Sequence, residues 1–285
     1  MDLSVIVCAH NEEKALGAQL DALLAQDWDG AWEIVVVDNG STDGTAALVA
    51  AYAQRDQRVR LVGAFEKAGQ SYGRNVGVRA SAGTYLAFCD ADDIVAPGWI
   101  AAIADGLGRH QVVTGPHELD LLNPRWLADS RGRSIEAPVG TFFGIFPCIR
   151  GAGWGIRRAT WEDLGGMRED YRAGEDHELS LRCWLAGIPI VGIPDAVVHY
   201  RYRDTARALW RQGFAYGSNR PRIVRLLVEA GKPRPPRLAG LRSWILLVLR
   251  LPTLITRQGR ASWVWIAANR CGQVVGSLRE RTIML

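Results

Sequence analysis

Thr84-Tyr85-Leu86-Ala87-Phe88-Cys89-Asp90-Ala91-Asp92-Asp93 decides the reading of this chain, because a nearly unbroken apolar run stops at three carboxylates. About six apolar residues between turn signals, Gly83 before and Pro97-Gly98 after, describe a central strand covered on both faces. The carboxyl end of such a strand is where open α/β sheets receive ligands. Asp90 and Asp92, with only the small Ala91 between them, can point the same way. Two hard oxygen donors on one side suit Mg²⁺ or Mn²⁺ carrying a phosphate. The plainer alternative is an acidic turn that caps the next helix. Proline favours the first helical position, and Pro97 placed there would make Ala96 the cap rather than any of these aspartates.

The pattern continues on both sides of this stretch. Leu3 to Cys8 reads as a first buried strand, and Ala9-His10-Asn11-Glu12-Glu13 turns into a helix with Leu16, Leu20, Leu23 and Leu24 at helical spacing. Glu33 to Asp38 is a second strand that again ends in a carboxylate, followed by the turn Asn39-Gly40-Ser41-Thr42-Asp43-Gly44-Thr45. Arg58 to Val62 reads as a third strand, and Ser71 to Ala82 and Pro97 to Leu107 as helices. Four strand-helix alternations within about a hundred residues predict a doubly wound, mainly parallel α/β sheet with helices on both faces. Neither G-x-G-x-x-G nor G-x-x-x-x-G-K-[ST] occurs, so nicotinamide dehydrogenases and P-loop enzymes lose support.

Beyond a further strand at Gln111 to Gly115, the stretch from Leu119 to Val139 lacks periodicity and suits loops that face an acceptor. Gly151 to Ile156 suits a short strand with close backbone approaches. A helix from Thr160, ending at Gly165-Gly166, and a loop lead to Asp170. Glu175 and Asp176 fall in the first turn of a helix reaching about Ala186, where acids are favoured by the macrodipole whether or not they do chemistry. Pro189 to Pro194 reads as a short or edge strand.

With 285 residues, the chain suits one large domain, or one domain with an appendage. Its net charge of +4 hides an asymmetry: residues 1–200 hold 17 Lys+Arg against 27 Asp+Glu, and residues 201–285 hold 17 against 3. The five cysteines are scattered without metal or redox spacing, as in a reduced, cytoplasmic protein. The first residues lack the basic-then-apolar layout of a secretion signal, so export is not expected. In the tail, Arg250 and Pro252 interrupt the apolar run Leu241 to Ile255, which falls short of the roughly 18 residues of a spanning helix. Residues 241–278 read as amphipathic helices rich in Arg and Trp. They suit peripheral contact with an anionic leaflet on the cytoplasmic face, or packing on the body or on a second copy in a homodimer. Pro233 to Pro236 is the expected hinge. No helix-turn-helix, zinc spacing or RNA-binding aromatic signature accompanies the basic charge, so no nucleic acid partner is expected.

Five fragments in order, Val7-Cys8-Ala9-His10-Asn11-Glu12, Val37-Asp38-Asn39-Gly40-Ser41-Thr42-Asp43-Gly44-Thr45, Gly73-Arg74-Asn75-Val76-Gly77, Asp90-Ala91-Asp92-Asp93 and Gly174-Glu175-Asp176, resemble the family 2 glycosyltransferases of the GT-A fold. The likeness covers residues 1–200. It implies a catalytic domain with a nucleotide-sugar half at about 1–115 and an acceptor half at about 116–200, and leaves 201–285 as a helical appendage. It also implies that Ala9, Asn11, Glu12 and Asp38 line the base and ribose pocket, with Asp38 accepting from uracil, and that Arg74 lies beside the nucleotide. Asp90, Ala91 and Asp92 resemble the D-x-D motif, Asp90 holding ribose or sugar hydroxyls and Asp92 the Mn²⁺ or Mg²⁺. Asp176 resembles the general base, with Glu175 beside it. His199 is a candidate further metal ligand, as in some relatives, and Arg201, Arg203 and Arg211 are candidates to close over the phosphates. Cys8 stands where proline is commoner, and Gly73 where alanine is common.

The resemblance thus implies a metal-dependent, inverting transfer from a nucleotide sugar, a UDP-sugar by preference, to a hydroxyl of a saccharide or lipid-linked acceptor in bacterial surface-polysaccharide or glycolipid synthesis. Two alternatives stay open: a retaining glycosyltransferase of similar fold, and a non-catalytic nucleotide-sugar-binding or scaffold protein. The joint presence of Arg74, Asp92 and Asp176 speaks against the second. A nucleotidyltransferase is weaker still, since its glycine-rich, lysine-bearing first loop is missing.

Overall fold

The structure is a computed structural model that describes residues 1–171, 173–236 and 240–284. It divides into two compact units. The first comprises Met1–Leu121, Ser134–Gly140 and Pro147–Arg201, and the second Leu122–Arg133, Thr141–Phe146 and Tyr202–Leu285.

The first unit opens with β1 (Leu3–Ala9), α1 (Leu16–Leu24), β2 (Trp32–Asp38), α2 (Thr45–Arg55), β3 (Val59–Gly63), α3 (Gln70–Ala80) and β4 (Tyr85–Asp90). Valine and isoleucine dominate β1 and β2, where branched side chains pack well on a pleated surface; nearly every residue of both strands is buried. Then come β5 (Ile94–Val95), α4 (Trp99–Arg109), β6 (Val112–Thr114) and β7 (His117–Glu118). After α5 (Arg125–Ala128) and the hairpin β8 (Gly140–Phe142) and β9 (Phe146–Cys148) follow β10 (Gly153–Arg157), α6 (Arg158–Asp163), α7 (Glu175–Leu185), β11 (Ile190–Gly192) and β12 (Val198–His199).

Seven strands form the main sheet in the order β11-β6-β10-β4-β1-β2-β3. The strand that ends in the carboxylates, β4, stands at its centre, parallel to β1. β1, β2 and β3 are also mutually parallel. β10 runs antiparallel to both β4 and β6. Glycine admits it: a Cβ on Gly155 would press on Ile103, Leu107 and the Leu86 carbonyl. Its Trp154 stacks on Phe88 of β4 with ring centroids 4.2 Å apart. A smaller sheet, β5-β12-β7, sets Val198-His199 beside Ile94-Val95.

Two expected helix starts move. Gly98, with φ +80°, caps α4, so Pro97 precedes the helix and Ala96 is not its cap. The helix after β10 begins two residues earlier than expected, at Arg158, while two left-handed glycines, Gly165 and Gly166, release the chain toward α7.

The second unit contains α5 and three further helices, α8 (Ala206–Glu229), α9 (Leu241–Leu249) and α10 (Arg257–Arg279). Phe214 meets Gly272 and Ser218 meets Gly276, so contacts advance together along α8 and α10 and the two helices run parallel. Small residues permit backbones to approach this closely. A parallel pair needs a return crossing, and α9 lies between the two helices in the chain. In α10 the buried residues are small or polar, including Ala268, Asn269, Arg270, Gly272 and Gln273, and no apolar stripe forms.

Candidate active site

The carboxyl ends of β1, β2 and β4 lie side by side, pairing Ala9 with Asp38 and Cys8 with Asp90. The loops after β1 and β2 are zipped together. The Asn11 main-chain N–H donates to Ser41 Oγ at 3.0 Å, Thr42 N–H donates to Asn11 Oδ1 at 2.8 Å, and Glu12 N–H donates to Thr45 Oγ1 at 2.9 Å. Asn11 takes a left-handed φ of +58°, a conformation asparagine tolerates better than most residues. Its carboxamide oxygen is therefore engaged within the protein. Asp38 is buried, and its Oδ1 accepts from Ser41 N–H at 2.9 Å. Asn39, which sequence reasoning did not single out, fastens the loop after β3 by donating to Ala64 and Lys67 carbonyls and accepting from Gly69 N–H at 2.7 Å.

Arg74 is 2% exposed, not a solvated helix residue. Its Nη2 donates to Asp90 Oδ1 at 3.0 Å and to the Gly151 carbonyl at 2.9 Å, and its Nη1 lies 3.7 Å from Glu175 Oε1. Nη1 has no hydrogen-bond partner. One guanidinium thus ties β4, the loop before β10 and the start of α7 together. A planar fork suits this task better than an ammonium. Gln70 adds a 2.6 Å bond to Asp90 Oδ1.

The three carboxylates after β4 divide their work. Asp90 faces Arg74 and Gln70, while Asp93 is 1% exposed and accepts from Arg201 N–H at 2.7 Å. Arg201 Nε donates to the Asp92 main-chain carbonyl at 2.9 Å, so Arg201 clasps this turn. Gln19, fully buried on α1, donates to the Asp90 carbonyl at 3.0 Å and accepts from Val95 N–H at 2.9 Å. Ala91 is buried between Asp90 and Asp92. Arg203 and Arg211 belong to the second unit.

α7 begins at Glu175 behind a left-handed Gly174. Burial, then the charge of Asp176, push the Glu175 carboxyl up to about 7 against the pull of Arg74. Burial also raises Asp176, but the charge and hydrogen bonds of His177, with Arg74 behind them, outweigh it and hold that carboxyl below its ordinary value. Asp176 Oδ1 accepts from His177 N–H at 2.8 Å, and Oδ2 lies 3.2 Å from where a Cβ on Gly151 would sit. Gly151 therefore accepts from Arg74 through its carbonyl and leaves open the space beside Asp176 that a side chain would crowd.

His199 Nδ1 meets Glu118 Oε2 at 2.6 Å. Burial raises the Glu118 carboxyl, yet bonds from His199 and from the Asp120 and Leu121 amides hold it below its ordinary value. An ionised carboxylate on Nδ1 orients the ring and leaves Nε2 as the nitrogen for a ligand. Pairing of His199 with Ile94 in the small sheet keeps it two residues from Asp92 in register. An open cavity of about 780 Å³ is bordered by Lys67, Asn75, Trp161, Gly166 and Glu169.

A family model described as Glycosyl transferase family 2 matches residues 4–163, more than half of the chain. The chain belongs to this family. A second model, Glycosyl transferase family group 2, matches residues 85–271. The glycosyltransferase GlyA of Streptococcus pneumoniae serotype 4 is 31% identical over 260 residues, 85% of this chain and 37% of that protein. An uncharacterized glycosyltransferase of Haemophilus influenzae is 32% identical over 112 residues, 39% of this chain and 34% of its own. The chain spans about a third of the length of these curated relatives. Among solved structures, the mannosyltransferase PcManGT of Pyrobaculum calidifontis, in complex with GDP-Man and Mn²⁺, superposes with a TM-score of 0.70 at 20% identity, covering 96% of this chain and 86% of that one. S. aureus TarS 1–349 in complex with UDP-GlcNAc gives 0.56 at 18% identity, covering 99% and 93%. The fold is GT-A.

This fold family implies a divalent cation. The donor set fits one: Asp92 is a hard oxygen donor, and His199 is oriented by Glu118. Among the described residues no group of three or more His, Cys, Asp or Glu is placed to hold a metal. A cation that carries a diphosphate takes much of its coordination from the phosphates and needs few protein ligands.

Proposed function

We propose that this family member transfers a sugar, with inversion, from a nucleotide sugar to a hydroxyl of a saccharide or lipid-linked acceptor. The observation that carries the reading is Arg74, which joins Asp90 at the donor edge to Glu175 and, through the Gly151 carbonyl, to the wall beside Asp176. Donor and acceptor chemistry then meet at one guanidinium.

Asp38 offers Oδ2 to the base, and UDP is the favoured nucleotide. Asp90 is held by Arg74 and Gln70 in place to receive ribose or sugar hydroxyls. Asp176, kept ionised, takes the proton of the acceptor hydroxyl as its oxygen forms the new bond to the anomeric carbon. The bond from that carbon to the phosphate oxygen breaks, and its electron pair leaves with the nucleoside diphosphate. A Mn²⁺ or Mg²⁺ bound by Asp92 and His199 would supply Lewis-acid neutralisation of that leaving group. Arg74 Nη1, 3.7 Å from Glu175 Oε1, keeps that carboxyl at hand.

The test is a panel of UDP-, GDP- and dTDP-sugars with Mn²⁺ and a mixed acceptor pool, read by nucleoside diphosphate release and by the product's anomeric configuration. Asp176→Asn is expected to cut turnover by a factor on the order of 100 to 10,000 while thermal stabilisation by UDP with Mn²⁺ persists. A product of retained configuration, or full turnover in Asp176→Asn, would overturn the assignment.

A further inference from the structure

We infer that α9 and the turn after it form an interfacial anchor for an anionic bilayer surface. Nine residues of helix and a short turn present Leu241, Ile245, Leu246, Val248, Leu249 and Leu251 to solvent, and Ile255 is 86% exposed. Only Leu247 of α9 is buried. The exposure comes from a fixed fold. Trp263 Nε1 donates to the Leu247 carbonyl at 3.0 Å, and Arg250 Nη1 donates to Ser262 Oγ at 2.5 Å, which pins one side of α9 to α10. Arg260 closes the far end on the Leu254 and Ile255 carbonyls. One side is held, and among the described residues the other is an exposed apolar ridge.

Charge selects the occupant. From Ala230 to Arg279 the chain carries nine Lys and Arg and no Asp or Glu. Arg242 and Arg257, both exposed, flank the ridge. An apolar face rimmed only by cations is complementary to acyl chains beneath acidic headgroups. A second copy fits poorly, because a two-fold contact would set this cationic rim against itself. Among the described residues no helix is long and apolar enough to cross a membrane, so the ridge lies in the interface. This inference does not rest on the transfer reaction, and its test uses no turnover.

Flotation of the full chain is compared on vesicles of phosphatidylcholine and on a roughly 2:1 mixture of phosphatidylcholine with phosphatidylglycerol. About tenfold more protein is expected on the anionic vesicles at low salt, with the excess falling as salt screens the charges. Val248→Asp with Leu249→Asp should lower binding to the level of the neutral vesicles. Arg242→Gln with Arg257→Gln, which leaves the ridge intact, should remove the preference for anionic lipid while the helical circular dichroism stays unchanged. Failure of the wild type to float with anionic vesicles, or equal flotation of wild type and the Asp pair, would overturn the inference. So would a concentration-dependent dimer that the Asp pair dissociates, since the ridge would then belong to a second copy.

Discussion

The sulfur of Cys8 occupies the space that a Cβ on Gly73 would need. The two positions are one packing solution. The thiol on β1 fills the volume against α3, and the missing side chain on α3 makes room for it. Burial, opposed by Arg74, pushes the thiol up to about 12, so it acts as a small apolar group rather than a nucleophile. Gly73→Ala should destabilise by roughly 1–3 kcal/mol through overpacking, although alanine is the better helix former by about 1 kcal/mol. Cys8→Ala should restore it. A urea-melt cycle on the two single variants and the double one measures the coupling, and strictly additive effects would refute the pairing.

Arg74→Met would leave Asp90 and Glu175 without their shared cation. Stability should fall by roughly 2–3 kcal/mol, less than for a fully buried pair because Asp90 is partly solvated. The Glu175 carboxyl should climb further, since Arg74 is what opposes its rise. Denaturant melts at neutral pH, with carboxyl titration by NMR, read both effects; an unchanged midpoint would show that Arg74 is no strut.

Glu175 sets a slope of stability with pH. Its carboxyl moves from 4.5 unfolded to about 7 folded, so the native state binds the extra proton between those values. Its contribution is fully present below 4.5 and is lost as pH rises through 7, an effect on the order of 3 kcal/mol. Glu175→Gln should therefore melt higher than wild type at pH 8 and close to it near pH 4. Parallel pH curves for the two proteins would count against it.

His117 tilts an overlapping, more acid window the other way. It is 5% exposed, stacks on Tyr200 at 4.8 Å, and its Nε2 has no partner. Burial, with Arg150 assisting, pushes the imidazole down to about 3. A depressed folded value gives stability that is present above 6.5 and lost as pH falls toward 3. His117→Phe keeps an aromatic ring for Tyr200 and removes the proton site, so it should flatten the acid limb of the melting curve. An acid limb as steep as that of wild type would rule this out.

Much of the sheet was legible because β1, β2 and β4 are buried on both faces and so read as apolar runs. β2 and β4 both end in a carboxylate, Asp38 and Asp90, and the resemblance of five short motifs in order singled out Arg74, Asp90 and Glu175. What escaped was work done through the main chain. Asn39 and Gln19 hold loops by bonding peptide groups, and only Gln19 left a trace, as a polar residue on the apolar stripe of Leu16, Leu20 and Leu23. Gly151 carries no side chain to announce that it accepts from Arg74 and leaves space open beside Asp176. The direction of β10 was illegible for a similar reason, since alternation and composition are the same for either orientation. Asp93 read like its neighbours, yet burial turned it into a support for Arg201.

The antiparallel β10 also bears on how this chain is made. Cys89 pairs with Gly153, so β4, central in the finished sheet, remains an open edge through all the synthesis between them. A bare apolar edge is the template on which nascent chains pair wrongly. Residues 1–115 are therefore not a folding unit: cut there, the chain would keep the loops after β1 and β2 and lose the strand that covers the edge of β4.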